Sequence, residues 1–191
     1  MKPRIEPMRR EDAAPEVAKL YDLMEKMGNP PPNMHLTFGK NPDLYAKWLP
    51  FATYIIPASS LAPRDRQILI LRCAFNWRCG YAWAQHVRIS KRLSALTDGE
   101  IAALEGTDIH DWNAKEAALI RACDDSAAAS RIGDETWAML APHYSERELL
   151  DVVFTIGQYA LIALALNSLN VQLDEGLSLP AWAAGTGSRV G

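Results

Sequence analysis

The sequence predicts an all-α fold, on three observations. The twelve prolines stand at positions 3, 7, 15, 30–32, 42, 50, 57, 63, 142 and 180, so 64–141 and 143–179 are unbroken proline-free tracts. Proline removes a donor and clashes with the preceding turn, so such tracts can be helical. Cap signals divide those tracts into lengths typical of helices. No stretch alternates apolar and polar residues long enough to argue a sheet.

Taken in order, Pro15 opens a helix in which Val17, Leu20, Tyr21 and Met24 recur at three- and four-residue spacing, and Gly28 closes it. Pro30-Pro31-Pro32 reads as an extended connector. Asn41-Pro42 is a cap followed by proline at the first helical position, starting a helix through Trp48. Pro63 starts another, to about Asn76, and the next runs from about Cys79 to Leu93. Thr97-Asp98-Gly99-Glu100 is a capping box before a short helix. Asn113 caps a helix to about Arg131, and Asp134 begins a short one ending before Pro142. Ser145-Glu146-Arg147-Glu148 is a second capping box, ahead of a long apolar helix to about Asn170. From Gly176 the chain is rich in Gly, Ser and Ala and is expected to be loose. This gives an N-terminal helical arm over 1–60, a helical core over 61–175 and a flexible tail over 176–191, within one compact domain.

Composition narrows the function classes. With 191 residues the chain can bury a core without disulfides or a structural metal. Its net charge of -3 and lack of a polybasic run argue against nucleic acid or an anionic membrane as partner. Cys73, Cys79 and Cys123 are too few and odd in number for a disulfide framework, which fits a reducing, cytoplasmic setting. The longest apolar stretch, Val152 to Leu166, is interrupted by Gln158 and falls short of about 20 residues, so it reads as a buried helix. No two histidines have metal-ligand spacing, so no metal site and no cofactor is expected. His35, His110 and His143 fall in loop-like surroundings and are expected to be exposed, and Cys123 is expected on a helix face.

The segment carrying chemistry is 64–86. Helical spacing puts Cys79, Ala82, Trp83 and His86 near one face. Cys79 and His86 stand seven residues apart, about 10 Å along the axis, too far for a direct hydrogen bond. One turn before His86 stands Ala82.

The charged turn Arg64–Gln67, the apolar helix after it, Cys79, Tyr81-x-Trp83 and His86 seven residues after Cys79 resemble the carboxymuconolactone decarboxylase family, which includes the alkylhydroperoxidase D proteins. Thr97-Asp98-Gly99-Glu100-Ile101 fits too, as do Gln158-Tyr159 and Asn167 in the last long helix. The resemblance covers about residues 15–175. It implies an alkylhydroperoxidase D-like helical fold, homo-oligomers, and either thiol peroxidase chemistry or decarboxylation of a lactone acid. The peroxidase branch carries Cys-x-x-Cys-x-x-x-His with a glutamate on the preceding helix. Here Cys79 and His86 match, Ala82 replaces the second cysteine and Gln67 the glutamate.

The leading expectation is therefore a lyase-like enzyme using acid/base chemistry on a small acidic or aromatic-derived molecule. His86 would be the acid/base group, Gln67 its orienting partner, Tyr81 and Trp83 the walls, and Arg66 or Arg72 a carboxylate anchor. The alternatives are a thiol peroxidase using Cys79, and a non-catalytic helical oligomer that binds a small ligand.

Overall fold

The computed structural model describes residues 2–26, 28, 30–107 and 110–184. Among them the chain forms nine α-helices and no strand: α1 (Pro15–Lys26), α2 (Asn33–Phe38), α3 (Pro42–Thr53), α4 (Pro63–Asn76), α5 (Gly80–Arg92), α6 (Asp98–Ala103), α7 (Ala114–Ala129), α8 (Asp134–Leu140) and α9 (Glu146–Leu169). The expected all-α fold is present. The caps behave as their sequence signals require. Asn41 accepts from the backbone of Leu44, Asn113 from that of Glu116, and Thr97 and Ser145 form complete capping boxes with Glu100 and Glu148.

Helix α4 is the axis of the fold. Asp65 through Ala74 are all buried, because α7, α5 and α9 pack around it on separate sides. A helix enclosed this way cannot be amphipathic, which explains its continuous Ile68-Leu69-Ile70-Leu71 run. The turn into α5 is made by Arg78, in the left-handed region at φ 53°, and its guanidinium lies 4.8 Å from the centre of the Phe75 ring. A smaller apolar cluster of Val17, Tyr21 and Tyr45, with Met24, Trp48 and Leu49 against it, belongs to α1–α3. The seam between this cluster and the main core positions the site.

Several expectations need correction. Helix α2 has no strong sequence signal and forms directly after the prolines. Helix α3 runs past Trp48 through Pro50, and a π-helical turn over Tyr54–Ala58 takes up the disturbed hydrogen bonding before Pro63. Cys123 is fully buried, its sulfur 3.7 Å from that of Cys73, because α7 is packed between α4 and other helices. The described part of the expected loose tail is docked. Trp182 sits edge-on to Trp83 at 5.6 Å and Phe75 at 5.4 Å, and a Cβ on Gly80 would come within 2.8 Å of Ala183. Residues 185–191 lie outside the described residues. Helix α9 is 24 residues long and by length and composition could cross a membrane, yet 56% of its apolar window is packed inside, as in a core helix.

Arg72 shows how the core treats charge. Its guanidinium grips Asp124 through Nε (2.6 Å) and Nη2 (2.9 Å), and Nη1 donates to the carbonyls of Leu104 (2.8 Å) and Gly106 (2.6 Å). Arg72→Met is expected to lower the unfolding free energy by about 3 kcal/mol in urea titration, since it removes a two-bond ion pair and leaves the Leu104 and Gly106 carbonyls without their donor. It should leave ligand binding in the cavity described next unchanged.

Candidate functional site

Between α2 and α3 on one side and α5 and α9 on the other lies a cavity of about 300 Å³. Its walls are mostly apolar, with Met24, Trp48, Ile56, Ile89, Ile162 and Leu166 among them. Ala82 and His86, one helical turn apart on α5, both face it, as does Tyr159 on α9.

His86 is buried and held at both ring nitrogens. Gln67 Oε1, from α4, lies 3.2 Å from Nδ1, and the Tyr159 hydroxyl lies 2.7 Å from Nε2. With Gln67 Oε1 toward the ring, the network assigns the proton to Nδ1, and Nε2 accepts from the Tyr159 hydroxyl. Burial, aided by the positive charge of Arg66, pushes the His86 pKa down to about 3, so the imidazole is neutral at pH 7. Burial also pushes the Tyr159 phenol well above its ordinary range, while Arg66 opposes that shift. The three side chains form a neutral, fully buried hydrogen-bonded chain that reaches the cavity through Tyr159 and His86.

Other sequence candidates fall in distinct places. Tyr81 lines the cavity, and its hydroxyl donates to Asp174 at 2.7 Å and accepts from the backbone of Met34 at 3.2 Å. Gln85 also donates to Asp174, and the Asn33 backbone donates to it at 2.6 Å, so Asp174 ties α2 and α5 together over the cavity. Trp83 faces away from the cavity into the Phe75–Trp182 cluster. Arg72 is consumed by Asp124. Arg66 is buried and has no carboxylate partner among the described residues; it donates to the Leu61 carbonyl at 3.1 Å, and its Nε has no acceptor. Cys79 caps α5, fully buried and outside the cavity lining. Burial pushes its thiol up to about 11 even though backbone N–H groups of Ala82 and Tyr81 favour the thiolate.

The sequence reading missed His35, expected to be exposed in a loop. It stands on α2, lines the cavity and is bonded through Nδ1 to the Tyr45 hydroxyl at 2.6 Å. Burial pushes its pKa down to about 4. Tyr159 and Gln158 enter the sequence reading only through the resemblance, without a role in the site. A signal is present: between Thr155 and Asn167 they are the only side chains with hydrogen-bonding groups, in an otherwise apolar helix.

The all-helical fold is shared with solved structures of the alkylhydroperoxidase D type. The chain covers 92% of its own length and 95% of an uncharacterized peroxidase-related protein from Silicibacter sp. TM1040, at TM-score 0.77 and 16% identity. A peroxidase-related protein with an alkylhydroperoxidase AhpD core from Ralstonia eutropha JMP134 aligns at TM-score 0.74 and 14% identity, over 91% of this chain and 93% of that one. The debrominase Bmp8, in a cysteine-to-alanine variant bound to 2,3,4-tribromopyrrole, aligns at TM-score 0.76 and 19% identity, over 92% and 94%. No functionally curated protein matches the sequence. Residues 42–125 match the model of the carboxymuconolactone decarboxylase family.

Proposed function

We propose that the protein is an enzyme that moves a proton on a small, largely apolar cyclic molecule, with Tyr159 as the group that touches substrate and His86 as its partner. The observation that carries this is the Gln67–His86–Tyr159 chain ending on the wall of an apolar cavity. Because His86 is neutral and disfavours an added proton, the site suits reactions in which a carbanion is quenched. A substrate carboxylate departs as carbon dioxide, and the carbon left with the electron pair takes the Tyr159 hydroxyl proton. The phenolate then regains a proton from solvent. Arg66 stabilises that phenolate, since its charge lowers the Tyr159 pKa. A solved relative of the same fold holds a halogenated pyrrole, which supports a small flat ring as ligand. Cys79 has no role in this reading.

The experiment is incubation with a panel of small unsaturated lactones and lactone acids in deuterated water, followed by proton NMR. Deuterium should enter the product carbon. Tyr159→Phe and His86→Gln should each slow this about 100-fold or more, the range for loss of a positioned acid or base. Rates equal to wild type in both variants would remove the proposal.

We also propose that a second copy of this chain covers the outer face of α9, in a cytoplasmic homo-oligomer. Leu150, Val153, Phe154, Leu161 and Leu164 are exposed there. These positions are symmetric about Gly157, lying seven, four and three residues to either side with Ala160 completing the set. An antiparallel copy crossing at Gly157 sets Leu150 on Leu164, Val153 on Leu161 and Phe154 on Ala160. A Cβ at Gly157 would meet nothing within 4 Å, so two backbones can approach there. Light scattering at micromolar concentration should give at least twice 21.2 kDa, and Gly157→Arg should reduce it to the single-chain mass. A wild-type particle of single-chain mass would contradict the pairing.

A further inference from the structure

We infer that Gln158, with Trp48 on the facing helix, reads a neutral polar group on the ligand that carries both a donor and an acceptor, as a cyclic amide does. This deepens the proposed function by naming the ligand class, and it rests on that reading for the cavity being the substrate site. Gln158 lies on α9, is 3% exposed and lines the cavity. Its amide makes no hydrogen bond to any described residue, and Oε1 is enclosed without a partner. A primary amide offers two donors and two acceptor sites, and burying one unused is costly. Nothing in the chain fixes which end faces the cavity, and the terminal torsion is soft and roughly two-fold. A ligand therefore sets the orientation of the amide.

The second observation is independent. Trp48, on α3, also lines the cavity, and its Nε1 is the other enclosed, unpartnered polar atom among the lining residues. One orphan is an acceptor and the other a donor, and they stand on different helices of the same cavity. Neither satisfies the other. A ring bearing N–H beside C=O answers both, its N–H donating to the Gln158 oxygen and its carbonyl accepting from Trp48. An apolar ring of the same shape leaves both unanswered.

The test compares oxindole, which has both groups, with indane, the same bicycle with neither, by ligand-observed NMR and calorimetry on the full chain. An apolar cavity without polar readers would favour the greasier indane. The inference predicts the reverse: oxindole binds at least about 10-fold more tightly than indane, a lower bound well inside the discrimination open to a site that hydrogen-bonds its ligand. Gln158→Leu should reverse that order, and Trp48→Phe should reduce the preference. Gln158→Leu should melt no lower than wild type without ligand, because it removes an unsatisfied amide. If Gln158→Leu unfolds, Gln158→Met is used for the same comparison. Indane binding as tightly as oxindole, or a preference that survives both substitutions, would overturn the inference, as would binding of neither. Tyr159→Phe separates the two claims: it should lose turnover and keep the oxindole preference. If the preference holds while wild type shows no turnover on any lactone, the acid/base reading falls and this one stands.

Discussion

The double variant Ala82→Cys/Gln67→Glu is expected to reduce an alkyl hydroperoxide about 100-fold faster than the wild-type chain, with a dithiol as final reductant. Ala82 faces the cavity one turn before His86, so a thiol there lies beside the imidazole and near the start of α5. Only the thiolate attacks the O–O bond. Gln67 Oε1 already sits 3.2 Å from His86 Nδ1. A carboxylate in its place would favour the imidazolium and offset the burial that holds the His86 pKa near 3. The new thiolate would take the distal oxygen as sulfenic acid and release alcohol. The Cys79 thiol, three residues earlier, would then close a disulfide and release water, and the dithiol would reduce it. Ala82→Cys alone should gain less, and His86→Ala should abolish the gain. The wild-type chain should be a poor peroxidase, because Cys79 is buried, pushed up to about 11 and without a neighbouring resolving thiol. No gain in a folded double variant would mean that positions 67, 82 and 86 do not act together.

The melting temperature should fall by roughly 10 °C between pH 7 and pH 4.5, from the charging of two imidazoles, His86 buried and His35 half-buried. His86 and His35 are held neutral by burial, with pKa values of about 3 and about 4 against an ordinary 6.5. Both folded-state values lie below the unfolded one. The unfolded chain therefore binds protons first, and stability that is full above about pH 6.5 is lost as pH falls toward 4. Lowering a pKa by one corresponds to about 1.4 kcal/mol, so the two rings together reach several kcal/mol. For a chain of this size, each kcal/mol moves the midpoint by about 2–4 °C. The charges facing these rings are Arg66, which deepens the effect at His86, and Asp174, which opposes it at His35. His86→Gln and His35→Gln should each flatten part of the profile. A constant melting temperature over this range would contradict the lowered pKa of both imidazoles.

Local signals carried most of the fold. Proline at first helical positions, Asn113, and the two capping boxes are satisfied within a few residues, so α4, α6, α7 and α9 could be read before any tertiary information. Helix α2 and the extension of α3 through Pro50 could not, because packing against α1 and the main core stabilises them against weak propensity. In the site, the pairing of Gln67 with His86 followed from the family pattern. Tyr159 did not, since a contact between residues 73 apart depends on how α9 crosses α5. Trp83 and Arg72 carry the right chemistry for a wall and an anchor but face the other way, toward Trp182 and Asp124, and helical periodicity alone does not say which neighbour covers which face.

The central claim is that a neutral His86, bonded to Tyr159, opens on a cavity that receives the ligand. The most direct measurement is the nitrogen-15 spectrum of the His86 imidazole at pH 6, with and without oxindole, assigned by its loss in His86→Gln. The account predicts a neutral ring protonated on Nδ1, an Nε2 resonance shifted by the Tyr159 hydrogen bond, a change in that resonance when oxindole is added, and loss of the hydrogen-bond shift in Tyr159→Phe. An imidazolium at pH 6, or an Nε2 resonance indifferent to both oxindole and Tyr159→Phe, would contradict it.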